Sequence, residues 1–299
     1  MNGTMTGEIK KPHPLIFGEV LFDSFPDGRD VLGGAPFNVA WHLRGFGLDP
    51  LMISRVGDDT RGREVLQAMR DWGMDIRGVQ TDKAHPTGIV SVGLQAGQPH
   101  YEILPDQAYD HIDADALLDV VAGNAPALVY HGSLATRSSD SRQALARLLA
   151  QADYPVFLDV NLRAPWWTRE QLAAQIQRAT WVKLNDEELV LLTESSDGRD
   201  LPALAREFFQ AHPRMQQLIV TRGAQGALLV HAEGLIEGAP VPVENLVDTV
   251  GAGDAFAAVM IAGIMQHWPP AQSLSQALRF AARICRQRGA TRLDHGLYR

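Results

Sequence analysis

At 299 residues, with 45% hydrophobic and 21% charged side chains, the chain has ample material for a core, and its length fits one large α/β domain carrying a small appendage. A net charge of -8 excludes a general nucleic-acid binder, whose footprint is a basic face, and obliges any bound polyphosphate to find local positive potential. One cysteine, Cys285, excludes intramolecular disulfides and cysteine-based zinc sites, and none of the ten histidines falls in an HxxxH or HExxH pair. No apolar run approaches the roughly 18 residues that span a bilayer, and Met1–Pro14 lacks the apolar segment of a secretory signal. The expectation is a cytoplasmic protein without membrane partners, with residues 1–14 as a partly disordered tail and 15–299 as the domain.

Short apolar runs then alternate with helical patterns. Leu15–Phe17 reads as a strand, Phe37–Phe46 as a helix after Pro36, Leu51–Val56 as a strand and Arg61–Trp72 as a helix. Strand Ala127–Tyr130, helix Ser141–Ala150, strand Val156–Val160, helix Glu170–Arg178 and strand Trp181–Leu184 follow. After them come helix Leu204–Ala211, strands Gln217–Thr221 and Ala227–His231, and helices Ala255–His267 and Leu274–Arg288. Such alternation predicts a largely parallel sheet covered on both faces. Two segments break it. Glu19–Leu32 holds the turn signal Asp27-Gly28, and Thr87–Leu104 reads as strands Gly88–Leu94 and His100–Leu104 joined by Ala96-Gly97-Gln98. Together they predict a small lid sheet, from about 19–33 and 87–104, of the kind that closes over an active site.

The most informative stretch is Asp248-Thr249-Val250-Gly251-Ala252-Gly253-Asp254, placed just before an apolar helix. Gly251 and Gly253 let the backbone approach a ligand closely, and unpaired N–H groups at the helix start favour an anion there. Asp254 sits at the same end, where the helix dipole stabilises a carboxylate by roughly 0.3–1 kcal/mol. An anion cradle beside a carboxylate base suits phosphoryl transfer to a hydroxyl, in which positioning and charge stabilisation do most of the work. By itself the stretch is equally an N-cap and a turn. The GxxxxGK[ST] loop is absent, Phe256 replaces the third glycine of a dinucleotide fingerprint, and no GxSxG elbow occurs.

The run DTVGAGD resembles the C-terminal signature of the ribokinase-like (PfkB) carbohydrate kinases. Gly33-Gly34-Ala35-Pro36-Phe37-Asn38-Val39-Ala40, with Leu43, Gly45 and Gly47, is similar to that family's N-terminal element. Phe17-Gly18-Glu19, Asp23, and Arg55-Val56-Gly57-Asp58-Asp59 with Gly62 fit the same pattern, so that the likeness runs from about Leu15 to Leu293. It implies a three-layer α/β/α sandwich with a mainly parallel central sheet and a β-sheet lid.

The resemblance also assigns residues. Asp254 would be the base, Gly251 the turn, and Ala252 and Gly253 the backbone donors to the transferring phosphoryl. Asp23, Gly33, Gly34 and Asn38 would bind the acceptor. Asp and Asn side chains suit a polyol, since they accept and donate hydroxyl hydrogen bonds. Arg163, at the end of Asp159–Arg163, would pair with a phosphate or an acceptor carboxylate, or else with a surface acid. Asn185 and Glu188 would order Mg2+ and phosphate through water, unless they only cap a helix. Lys183, Thr221, Gly223, Gly226, Ala282, Cys285 and Gly289 would lie along ATP, with Cys285 a small hydrophobe rather than a nucleophile. Asp248 would help bind a monovalent cation such as K+ with carbonyls of 289–291.

Arg222 departs from the family's small apolar residue, and the basic run 286–291 is unusual. Trp166-Trp167 is read as packing or interface surface, with stacking on a ligand as the alternative. The first substrate expectation is fructose. Other acceptors are 2-keto-3-deoxygluconate, ribose or, if Phe25, Tyr101 and Tyr109 line the lid, a nucleoside. A non-catalytic sensor on the same fold is the remaining alternative. A homodimer through the lid is expected, because exposed strand edges are satisfied by pairing.

Overall fold

The structure is a computed structural model that describes residues 12–95, 98–194 and 200–299. The expected tail up to residue 11 and the Ala96-Gly97 part of the lid turn lie outside the described residues.

Nine strands form the main sheet: β1 (Pro14–Phe17), β4 (Leu51–Gly57), β5 (Val79–Asp82), β8 (Leu128–Gly132), β9 (Val156–Asp159), β10 (Trp181–Asn185), β11 (Gln217–Thr221), β12 (Ala227–His231) and β13 (Gly234–Gly238). Their order is β13-β12-β11-β10-β9-β8-β1-β4-β5. Pairing is parallel from β11 to β5 and antiparallel through β11, β12 and β13. Pro14, expected in the tail, opens β1 opposite Leu128 of β8. A proline has no N–H to offer the ladder, so the first residue of a strand suits it.

The helices are α1 (Ala35–Gly45), α2 (Thr60–Asp71), α3 (Ala114–Val121), α4 (Ser139–Leu149), α5 (Arg169–Arg178), α6 (Asp186–Leu192), α7 (Leu201–Gln210), α8 (Ala252–Met265) and α9 (Pro270–Ile284). Side chains alternate across the sheet, and the core divides accordingly. Ile16, Met52, Tyr130, Phe157, Ile219 and Leu229 face α1, α8 and α9. Leu15, Phe17, Ile53 and Val129 face α3 and α4, while Leu158, Val182, Leu218 and Val220 face α5 and α7. Each of these fully buried side chains contributes roughly 1.5–3 kcal/mol.

The last helix departs from expectation at both ends. Pro269 and Pro270 start it four residues before Leu274, proline being pre-organised for a first turn. It stops at Ile284 rather than Arg288, because the carbonyl of Cys285 accepts from Val247 and Asp248 N–H instead of from a further turn. Strands β5 and β13 and helices α3 and α6 lie between the elements expected from sequence.

The lid is a second, four-stranded sheet in the order β3-β2-β6-β7, built from β2 (Leu21–Ser24), β3 (Asp30–Gly33), β6 (Gly88–Gln95) and β7 (Gln98–Ile103). It thus joins the two segments that broke the α/β alternation. In the main sheet the chain moves outward from β1 to β4 and β5 on one side, and later from β8 to β11 on the other. Ligands of open α/β sheets bind outside the strand carboxyl ends at such a switch point, and the lid strand β2 follows β1 directly there.

Candidate active site

Gly251 is the N-cap of α8 and adopts a left-handed conformation, φ 78. A Cβ at this position would also run into Ala290, so glycine is required twice over. Ala252, Gly253 and Asp254 form the first turn of a helix that is buried from Ala255 to Gly263. The N–H of Ala252 donates to Thr249 O at 3.2 Å, whereas no described residue accepts from the N–H of Gly253. The expected pair of donors is therefore one free N–H and one engaged in the turn.

Asp254 Oδ2 accepts from Asn38 Nδ2 at 2.7 Å, across 216 residues of sequence. Burial pushes the Asp254 carboxyl up to about 6. The Asn38 bond opposes the rise, Asp159 adds to it, and Lys183 and Arg163 oppose it. Asn38 reaches this point because Gly34, at φ 107, starts α1 hard against the backbone: a Cβ on Gly34 would lie 2.7 Å from Glu19 O.

A cavity of about 680 Å³ opens between this turn, the strand ends and the lid. Asp23, Gly34, Asn38, Arg163, Gly251, Gly253 and Asp254 line it. Gly33 does not. It ends β3 in the lid ladder, opposite Leu21. Arg163 is exposed at the rim, and its guanidinium acts favourably on Asp23, Glu19 and Asp254. Leu21, Val90, Tyr101 and Ile103 supply the lid wall. Of the three lid aromatics, only Tyr101 lines the cavity: Tyr109 is fully buried in the core, and Phe25 packs under Arg29.

Sequence reasoning gave Glu19 no role of its own, yet it lies in the cavity wall at 3% exposure. Desolvation pushes its carboxyl up to about 7. Glu19 Oε2 and Asn38 Oδ1 are both buried acceptors without a protein partner. Such atoms are costly unless a ligand or water satisfies them. The available signal was one carboxylate inside the apolar run from Leu15 to Phe22.

The residues expected along a nucleotide do not line this cavity. Lys183 Nζ donates to both oxygens of Asp159, at 2.8 and 2.9 Å, inside the protein. The same ammonium lies 3.6 Å from the position of a Cβ on Gly253, so it sits against the turn. Glu188 and Asn185 form a reciprocal capping box at the start of α6. Glu188 Oε2 accepts from Asn185 N–H at 2.8 Å and Oε1 from Leu162 N–H at 2.7 Å, tying α6 to the Arg163 loop.

Asn185 and Thr221 are neighbours in register, and the glycines at 223 and 226 shape the turn after β11 at φ 52 and 86. Arg222 faces Glu237 of β13 at 3.6 Å, a partly screened ion pair. Ala282 lies in the last turn of α9 and Cys285 caps it. Asp248 accepts from Val250 N–H at 3.0 Å and from Gly289 N–H at 3.2 Å, which joins the two segments proposed for a cation. Trp166 lies against Arg137, 4.3 Å from guanidinium carbon to ring centroid, and Trp167 packs on the part of the core that faces α5 and α7, which is the packing role expected.

The profile of the pfkB family carbohydrate kinases matches residues 23–295. The fructokinase of Klebsiella pneumoniae is 30% identical over 269 residues, 85% of either chain. The fructokinase of Vibrio cholerae O395, solved with fructose, ADP and calcium, matches with a TM-score of 0.80 at 24% identity over 96% of this chain and 98% of that one. Its double mutant with fructose, ADP and potassium matches at 0.78, again at 24% identity, over 96% and 97%. The aminoimidazole riboside kinase of Salmonella enterica, solved with aminoimidazole riboside and an ATP analogue, matches at 0.77 and 25% identity over 93% and 95%. The fold is accordingly ribokinase-like. Among the described residues no helix is long and apolar enough to cross a membrane.

Proposed function

This chain belongs to the pfkB family of carbohydrate kinases, and on that premise we propose that it transfers the γ-phosphoryl of ATP to a hydroxyl of a small sugar, fructose before other acceptors, with Asp254 as base. The observation that carries the reading is the meeting of a carboxylate and a free backbone N–H at the start of α8, at one end of the cavity. Asp23, Glu19 and Asn38 suit a polyol. The orphan acceptors Glu19 Oε2 and Asn38 Oδ1 call for hydroxyl donors, and a site built so rejects analogues that lack them.

In the reaction the acceptor O–H gives its proton to Asp254 while its oxygen bonds to the γ-phosphorus, and the bond from that phosphorus to the ADP oxygen breaks. The Gly253 N–H and the Lys183 ammonium face the charge carried by the phosphoryl oxygens. Mg2+ bound with ATP supplies charge neutralisation. Glu188 would reach it through water, since both its oxygens already hold backbone N–H groups. Asn185, Thr221, Gly223, Gly226, Ala282, Cys285 and Gly289 line the remaining length of the nucleotide. Asp248, beside Gly289, is the carboxylate for a monovalent cation.

Two features keep a second class of acceptor in view. Arg163 at the rim suits an acid sugar such as 2-keto-3-deoxygluconate, and Tyr101, 55% exposed in the lid wall, suits the base of a nucleoside. The intact DTVGAGD speaks against a non-catalytic sensor. The test is ADP release with ATP and Mg2+ over sugars, acid sugars and nucleosides, run in potassium, sodium and tetramethylammonium salts. Fructose is expected to give the highest kcat/KM, with potassium the best salt. A nucleoside or acid sugar on top would move the substrate, equal rates in all salts would remove the cation role of Asp248, and no stimulation by any acceptor would favour the sensor.

The lid adds an expectation about assembly. Its edges β3 and β7 have no partner strand in the sheet order. Pairing lid to lid satisfies them, so sedimentation at micromolar concentration should give a dimer. A monomer across that range would remove this part of the reading.

A further inference from the structure

The two passages of chain between the main sheet and the lid run side by side. His85 lies in the one between β5 and β6, and Asp106 and His111 lie in the one after β7. Their rings and carboxylate form a cluster that the kinase reading does not use. His85 Nδ1 is 2.9 Å from Asp82 Oδ2, and His111 Nδ1 is 2.9 Å from Asp140 Oδ2. On the opposite edges, His111 Nε2 is 2.8 Å and His85 Nε2 is 3.7 Å from the same atom, Asp106 Oδ1. One ligand atom from each of the three residues lies within 4.8 Å of the others.

We propose that His85, His111 and Asp106 form a binding site for a borderline divalent transition-metal ion, of which Zn2+ is the natural probe. Each imidazole has its Nδ1 against a carboxylate, the arrangement that fixes the tautomer and leaves Nε2 as the ligand atom. Two such Nε2 atoms and a carboxylate make a three-residue set with water completing the coordination. Nitrogen ligands select Zn2+, Ni2+ or Cu2+ over Mg2+, so this site is chemically distinct from any that travels with ATP. Asp82, Asp106 and Asp140 surround the pair, Arg55 lies 3.0 Å from Asp82, and Arg147 lines the cleft beside Asp82 and Asp140. The rings are stacked, centroids 3.7 Å apart and 15° from parallel. An ion binding both nitrogens must therefore hold the two Nε2 edges together while the opposite ring edges swing apart, the exposed Asp140 carboxylate following the Nδ1 of His111.

The test is calorimetric titration of the full chain with ZnCl2 in excess Mg2+ and no nucleotide. One ion per chain is expected, with a rise in melting temperature that grows with free Zn2+. Asp140→Asn should weaken binding by about 10–100-fold, as loss of an outer carboxylate does. His111→Asn and Asp106→Asn should abolish it while leaving the melting temperature in EDTA unchanged. The Asp106 side chain is 73% exposed, so that variant keeps the fold intact for the measurement. Binding that survives the double variant His85→Asn/His111→Asn, or wild-type binding no tighter than that of His111→Asn, would overturn the proposal.

Discussion

Replacing Asp254 by Asn should lower kcat by about 10²–10⁴-fold, the contribution of a positioned general base, without unfolding the protein. The amide keeps an oxygen that can accept from Asn38 Nδ2, now 2.7 Å away, so the contact between α1 and α8 survives. It removes a buried charge as well. The folded pKa, about 6, stands above the unfolded value near 3.8, so the ionised group costs stability above about pH 6 and nothing below about pH 4. The Asn variant should therefore melt higher than wild type at pH 7–8 and match it at pH 4. In the wild type the base works only when deprotonated, so kcat/KM should fall as pH drops through about 6, and the residual rate of the variant should lack this limb. Retained turnover in Asp254→Asn would remove the base, and an unchanged acid limb would assign that limb to another group, with Glu19, near 7, the first candidate.

The contrast between Asp254 and Glu19 indicates what a linear sequence carries. The DTVGAGD run is contiguous, and its key features are local: left-handed Gly251, a helix start, a carboxylate in the first turn. The capping relation of Asn185 and Glu188 is local too, and could be read three residues apart. The alternating elements gave the layers, because burial on both faces makes parallel strands continuous apolar runs. By contrast β5, with Gln80 and Thr81, and β13, with a glycine at either end, lack such runs, while α3 spans only two turns. Glu19 is perturbed by burial and by Asp254, Arg163 and Arg137, all distant in sequence, which no local pattern encodes. His85 and His111 are far apart in sequence and meet only because the chain leaves the main sheet and returns at one place. The Lys183–Asp159 pair depends on the parallel register of β9 and β10, where the two residues stand opposite each other.

That pair sets the second large effect. Burial opposes the charge on Lys183, yet Asp159 beside it more than offsets this and the lysine pKa is raised, so the ammonium stays charged. Lys183→Met should cost about 3–5 kcal/mol of folding stability, because it leaves Asp159 as a buried charge whose nearest remaining donor is Tyr130 Oη at 3.4 Å. The measurement is a urea midpoint at constant m-value. The double variant Lys183→Met/Asp159→Leu removes both charges and should recover most of the loss, as apolar replacement of buried pairs does. Turnover should not recover with it. The ammonium sits beside Gly253 at the start of α8, where the proposed mechanism puts the transferring phosphoryl. A stable double variant with low kcat and near-normal acceptor KM places Lys183 in the chemistry. A stable double variant with full kcat makes the pair a strut between β9 and β10, and leaves the Gly253 N–H and the helix start to hold the phosphoryl without it.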